Sequence, residues 1–381
     1  MLDELFTEAE RQLNICNSCR YCEGYCAVFP ALERRTLLAP GDVTQLANLC
    51  HDCRACFHAC MYAPPHEFAV DPPRILSAVR LASYDRYLPP VGWMRPGWPR
   101  GWPARAAAAL LVGLGLVVLA GAASGLGALW RHGGPYQVVP YPALLVIAAL
   151  PTAWSVAVMV RGFALYWRDV HGPLRGLADW RALGTALAAA ARLRNMRGGG
   201  EECYAAGDDP SPARRLLHGA VAWGFAACFA ATVAAAFLQD VLGSPPPYPL
   251  LSVPVVLGTA GGLSMLAGCA GLIALKRRGG PPGQEVIGQR VIGQRVIEQR
   301  VIEQGVADYG LLFGLGLLAL TGLLTLLLRA TPVFGLILVI HLATIVVCFA
   351  IAPYTRFVHA GYRFLALVAD AIEQRRAGSV V

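Results

Sequence analysis

The sequence predicts an all-α protein in two parts, a helical head that gathers most of the cysteines and a bundle of six apolar helices behind it. Three observations predict this. The chain is 56% hydrophobic and only 15% charged, far from the balance of a soluble globular protein. Six stretches run for twenty or more residues without Asp, Glu, Lys or Arg, the length a helix needs to cross a bilayer core of about 30 Å at about 1.5 Å per residue. Eight of the twelve cysteines lie within the first 60 residues.

The head, residues 1–88, begins with an acidic and polar segment instead of a basic stretch followed by an apolar core, so no secretory signal is expected and the N-terminus is placed in the cytosol. In that reducing compartment a cysteine cluster argues for metal over disulfides. Cys16, Cys19, Cys22 and Cys26 form C-x2-C-x2-C-x3-C, and Cys50, Cys53, Cys56 and Cys60 repeat the spacing. Three thiolates at three-residue intervals can wrap one cubane cluster while the fourth reaches away, and in two-cluster ferredoxins the fourth serves the neighbour. Carried over, one [4Fe-4S] cluster takes Cys16, Cys19, Cys22 and Cys60, and the other takes Cys50, Cys53, Cys56 and Cys26. Structural zinc, the competing reading, favours two C-x2-C pairs set well apart and has no use for a third evenly spaced cysteine. The usual proline after the fourth cysteine is replaced by Ala27 and Met61, with Pro30 and Pro64 four residues beyond the cysteines.

Between the motifs, leucines at 32, 37, 38, 46 and 49 and a helix start at Pro40-Gly41-Asp42 favour an α-helical two-[4Fe-4S] ferredoxin-like domain over the β-rich kind. His51, His58 and His66 are read as tuning or solvated residues, because eight cysteines already suffice.

Residues 89–105 form an interfacial linker in which Trp93, Trp98 and Trp102 alternate with Arg and Pro, as suits a headgroup layer. The membrane domain, 106–365, has span cores near 106–130, 138–160, 216–238, 253–275, 309–328 and 332–352, with prolines interrupting the second and crowding the entrance of the fourth. Outside the spans, only Arg131 and Arg329 of the 32 basic residues fall in the loops after the first, third and fifth helices. The positive-inside rule then puts both termini and the loops 161–215 and 276–308 in the cytoplasm, in contact with membrane lipid at their edges. The net charge of +8 is thereby read as topology; no basic stripe suited to nucleic acid is present.

Within the first loop, Trp180, Leu183, Leu187 and Ala191 share a helical face, which suggests an interfacial helix ended by Gly198-Gly199-Gly200. The second holds a pentapeptide array from Val286 to Gln304 whose period fits neither helix nor strand, read as a tolerated low-complexity insertion. Residues 366–381 are read as a cytoplasmic tail.

Ionisable side chains at membrane depth mark functional sites by default. His341 lies nine residues into its span, about 13 Å from the start, and is a candidate for a haem or quinone role against a plain interhelical hydrogen bond. His218 and His359 each lie about one turn from the cytoplasmic boundary, so they suit the two axial positions of one b-type haem better than His218 with His341. His341 and His359 share a helix face if Pro353 leaves the helix intact. His132 and His171 are left structural or solvated.

The strings Cys50-His51-Asp52-Cys53-Arg54-Ala55-Cys56, Met61-Tyr62-Ala63-Pro64-Pro65-His66-Glu67-Phe68, Arg214-Arg215 before His218, and Arg356-Phe357-Val358-His359-Ala360-Gly361-Tyr362-Arg363 resemble the tricarballylate utilization protein B family, which is similar to the C-terminal half of a cobalamin-biosynthesis flavoprotein. The resemblance covers nearly the whole chain. It implies a protein of the bacterial inner membrane that reoxidises a soluble FAD-dependent dehydrogenase and passes electrons through iron-sulfur clusters and haem b to the quinone pool, with substrate oxidation left to the partner. The sequence departs from that family at His218-Gly219, where a His-His pair is usual. No G-x-G-x-x-G fingerprint leads from strand to helix, so flavin is expected on another chain. Two other classes remain as alternatives, a membrane-tethered iron-sulfur redox sensor and a transporter subunit; for the latter, the broken paired helices of that class are not evident in the sequence apart from His341.

Overall fold

A computed structural model describes residues 2–88, 113–115, 126–130, 134–172, 174–200, 202–204, 209–278 and 294–378. The head is built from α1 (Leu2–Cys19), α2 (Val28–Glu33), α3 (Pro40–Leu49), α4 (Ala55–His58) and α5 (Pro72–Tyr87). Helix α5 starts where the Asp71 carboxylate accepts from Arg74 N at 3.1 Å and two prolines occupy positions that need no amide donor. It is buried on most sides, with Ile75, Leu76, Val79 and Tyr84 in the core. Leu5, Ala9 and Leu13 recur at four-residue steps along α1 and give it one apolar stripe, all fully buried. The start expected at Pro40 is present, and Asp42 accepts from Ala39 N at 2.9 Å. Among the described residues there is no strand, only an isolated bridge between Cys203 and Ser211.

Behind the head come α6 (Tyr141–His171), α7 (Trp180–Ala191), α8 (Ala213–Asp240), α9 (Val253–Arg278), α10 (Gln294–Leu327), α11 (Phe334–Ile351) and α12 (His359–Gly378). Five stretches, Tyr141–His171, Ala213–Asp240, Val253–Arg278, Ile297–Leu327 and Phe334–Tyr354, are long and apolar enough to cross a membrane. They coincide with the second to sixth expected spans. Most of the first span, 106–130, and all of the linker 89–105 lie outside the described residues. The prolines thought to interrupt the second span do not break it: Pro140 and Pro142 sit at its start and Pro151 is carried inside the helix.

Head and bundle interlock, and four expectations change as a result. First, α6 runs on past residue 160 for about three turns, and Tyr166 and Trp167 are fully buried in the head core. Second, residues 366–378 are not a tail but the middle and end of α12, where Ala366 to Ile372 are buried and Glu373 pairs with Arg35 at 2.9 Å. Arg34 pairs with Asp370, and Tyr362 stacks on Tyr84 at 4.7 Å.

Third, α7 forms with the expected apolar face left open, Trp180 and Leu187 being 72% and 62% exposed, and in addition buries Ala182 and Ala186 against the head core. Fourth, the end of the pentapeptide array is structured. Helix α10 begins at Gln294, Ile297 and Val301 fall one turn apart against the head core, and Arg300 pairs with Asp85 at 2.5 Å. Over the whole array five-residue steps sweep around a helix, but two repeats suffice to place one i, i+4 apolar pair.

The sixth span also ends differently from a continuous helix. Pro353, lacking an amide donor, sits in a 3-10 turn at Ala352–Tyr354, and Thr355 is extended. His341 and His359 therefore lie on separate helices.

Candidate iron-sulfur and histidine sites

The first set of thiols comes from the end of α1 and the turn after α4. Cys16, Cys19, Cys22 and Cys60 line one pocket with Ile15, Tyr21, Phe29, Met61, Tyr62 and Val70. The fourth cysteine of the second motif thus stands with the first three of the first motif. The pocket opens at the surface: Cys19 is exposed, and Tyr21 and Met61 are 61% and 63% exposed beside it.

The second set is wrapped more tightly. Cys50 caps α3, Cys56 lies in α4, and Asp52 and Arg54 between them take left-handed backbone at φ 54° and 63° so that the loop turns its sulfurs inward. Cys26 faces this group and repels Cys56, Cys50 and Cys53 when ionised.

Residues 194–200 and 202–204 fold over the second set. Gly198 and Gly199 are left-handed; a Cβ on Gly198 would lie 3.7 Å from Cys53 Sγ, and one on Gly199 would lie 3.0 Å from Tyr25 Cα. Tyr204 N donates to Cys53 O at 2.9 Å, its ring stacks on His58 at 4.2 Å, and fully buried Cys203 donates to Met196 O at 3.1 Å. The sequence leads one to expect only a helix end at the glycine triplet and gives Cys203 no role; the paired Gly residues and a ninth thiol are the available signals.

A test of fit is the charge these donors need. Burial first, and then the neighbouring thiols, push Cys16 up to about 12 and Cys22 up to about 11. Burial raises Cys26 and Cys56 in the same way. For Cys53 the hydrogen bond with Cys203 is the first cause and burial the second. Four crowded thiolates are unfavourable alone and become favourable around a polycation, which is the chemistry of an iron-sulfur site. Among the described residues no three His, Cys, Asp or Glu converge closely enough for a single ion.

Arginines back the second set. Arg80 donates to the carbonyls of Cys50 at 2.7 Å and Ala47 at 3.1 Å, Arg363 donates to Cys50 O at 2.9 Å, and Arg214 donates to Asp52 O. Burial pushes the Cys50 thiol up, and Arg80 opposes that rise.

Of the three candidate histidines, the structure brings two together. His218 of α8 and His359 of α12 face each other with ring centroids 6.0 Å apart and planes at 77°. His359 Nδ1 is engaged with the Arg356 carbonyl, and burial with Arg363 holds the ring neutral by moving its pKa down to about 3. Two metal–nitrogen bonds of about 2 Å, with about 1 Å more to each ring centre, span about 6 Å, so the spacing of the pair suits two rings that would hold one iron between them. His51, next to Cys50, is held neutral by burial and then by Arg363.

His341 stands apart: it shares a hydrogen bond with Thr321 at 2.9 Å and packs on Gly322. His171 lies against the Trp167 ring, and His66 against Tyr62 and Phe68.

Comparison with known proteins gives a consistent picture. Residues 104–380 match the family described as Citrate utilization protein B, and residues 9–86 match its Fer4-like domain. Citrate utilization protein B of Escherichia coli is 35% identical over 380 residues, covering 99% of this chain and 94% of that protein. No solved structure matches.

Proposed function

This chain belongs to the citrate utilization protein B family, and from that premise we propose that it is a membrane-bound electron carrier with two [4Fe-4S] clusters and one haem b, serving the quinone pool. The family and its Fer4-like domain point to an iron-sulfur electron-transfer protein in a membrane. The observation that carries the finer reading is the pocket in which Cys60 joins Cys16, Cys19 and Cys22 across forty residues of sequence. That is the exchange of fourth ligands seen in two-cluster ferredoxins.

When bound, the clusters and the haem supply one-electron acceptors and donors. The chain's own residues do the rest. Cys19, Tyr21 and Met61 leave the first site open to a soluble partner, whereas residues 194–200 and 202–204 shield the second from water. His218 and His359 would hold the haem at the boundary between head and bundle. We assign the upstream oxidation to a separate FAD-dependent dehydrogenase of the tricarballylate dehydrogenase kind. The charge asymmetry of the loops favours a bacterial inner membrane with both termini on the cytoplasmic side.

Optical and EPR spectra of the purified protein, reduced anaerobically with that flavoprotein, test the reading. Two cubane signals and a b-type band are expected, with the band lost in His218→Ala and His359→Ala and kept in His341→Ala. Zinc in place of iron, or a haem band that survives loss of either boundary histidine, removes the corresponding part.

A further inference from the structure

Arg80, Arg214 and Arg363 come from three distant segments and converge on the loop that bears Cys50 and Cys53. Arg80 is 1% exposed, and the Nε groups of Arg80 and Arg363 are buried with no hydrogen-bond partner. Among the described residues no carboxylate comes within ion-pair distance of any of the three, although other arginines of the head are paired, Arg34 with Asp370 and Arg35 with Asp42 at 2.7 Å. Asp52 of the same loop acts on Arg214, and Asp308 beyond it is already paired with Lys276 and Arg356. Three guanidiniums against the one carboxylate of this loop leave an excess of positive charge, and a cation taken out of water without a matching anion is costly.

The first set of thiols has no such surround. Arg11 beside it is neutralised by Glu8 at 2.6 Å, and Arg20 donates to the carbonyl of Asn17. The buried ionisable neighbour there is Asp71, which is acidic and acts on Cys60.

We propose that Arg80, Arg214 and Arg363 are the counter-charges of the cluster held by Cys26, Cys50, Cys53 and Cys56, and that they set its reduction potential above that of the cluster held by Cys16, Cys19, Cys22 and Cys60. The inference rests on the two-cluster reading above. A cubane with four thiolates is anionic and gains one further negative charge on reduction, so fixed cations favour the reduced form; net charge and hydrogen bonding are the levers available. Burial acts in the opposite direction, because desolvation disfavours the more highly charged state. The proposal takes the cations to outweigh it, because three guanidiniums are hydrogen-bonded to the backbone of the ligand loop itself. The order of potentials then favours transfer toward the side of the head where α8 and α12 meet. Arg363 lies one turn along α12 from His359.

Redox titration of the purified full-length protein, followed by EPR, tests this. Cys19→Ser leaves the second cluster alone and Cys56→Ser leaves the first, and the higher midpoint is expected in the Cys19→Ser protein. Arg363→Gln is expected to lower the midpoint of the second cluster and leave the first unmoved, whereas Arg363→Lys keeps the charge and most of the potential. Reversed midpoints, an equal shift of both clusters, or no shift in Arg363→Gln overturns the inference. If Arg363→Gln loses its second cluster, the order of midpoints in the two cysteine variants decides alone. Failure of the underlying reading looks different: the wild-type protein then shows no pair of cubane signals at all.

Discussion

Helices α8 and α9 meet backbone to backbone, and that contact can be tested with single methyl groups. A Cβ built on Gly224 lies 2.8 Å from Gly261 O and 2.8 Å from Met265 N, and one built on Gly268 lies 2.8 Å from Leu217 O. Ordinary contact begins at 3.4 Å, and because the obstructing atoms are backbone, the helices must part by about 0.6 Å, which forfeits about a quarter to a half of the dispersion attraction along the seam. Lipid tails are as apolar as the helices, so no hydrophobic term restores the loss.

Overpacking of this kind costs about 1–3 kcal/mol, and the better helix propensity of alanine returns about 0.5–1 kcal/mol. Gly224→Ala is therefore expected to destabilise the protein by about 1–2 kcal/mol and to lower the melting temperature in detergent by several degrees. Gly184→Ala in α7, where a Cβ meets nothing within 4 Å, is expected to melt at or slightly above wild type. Tryptophan fluorescence during heating reads both. His218 lies six residues from Gly224 on the same helix, about 9 Å away, so parting of the helices also loosens its contact with His359. Equal melting of the two glycine variants refutes the close approach of α8 and α9.

Cys60→Ser is expected to remove the cluster of the first motif and leave about half of the iron, with an EPR spectrum like that of Cys19→Ser; a spectrum like that of Cys56→Ser counts against exchanged ligands. Burial pushes the Asp71 carboxyl up to about 6 from 3.8, so the folded state holds this proton more tightly than the unfolded one. The associated stability, about 3 kcal/mol, is present below pH 3.8 and lost as the pH rises through 6. Asp71→Asn should flatten the melting profile over that range, and an unchanged slope would contradict the burial. Ile297 is 4% exposed against the head and Ile302 is 60% exposed one turn on. Ile297→Asp is expected to cost about 3–5 kcal/mol and Ile302→Asp about 0.5 kcal/mol or less, read by thermal melting; similar losses would show that the array does not dock.

The parts of the molecule that sequence alone made legible are those whose signal is local. Two C-x2-C-x2-C-x3-C runs carry their chemistry in their spacing, and five of the apolar stretches became helices, two of them extended into the head, because length without charge is itself the requirement for spanning a bilayer. Comparable depth at a boundary was enough to pair His218 with His359 and leave His341 apart, where Thr321 holds it. The array misled because its period was judged over every repeat, whereas docking needs only Ile297 and Val301 on one face. In α12, Leu365, Ala366, Val368 and Ala369 are apolar and buried, but a short apolar run beyond the last span does not by itself say what it packs against.

The arginines around the second set were illegible for a different reason. Arg80 sits in a helix of mixed polarity, and nothing within a few residues of it distinguishes it from a solvated surface residue. Its meaning is a relation between positions 80, 214 and 363 and the carbonyls of residues 47, 50 and 52, which exists only when α5, α8 and α12 are packed around the loop. Even in the structure these cations look out of balance if the sulfurs are counted as neutral thiols, because three guanidiniums, Arg80 buried and the others half-buried, then have only Asp52 in the loop as a counter-charge and call for further negative charge. Counted as the ligands of an anionic cluster, the same sulfurs supply it, and the cost of burying each guanidinium becomes the reason it is where it is.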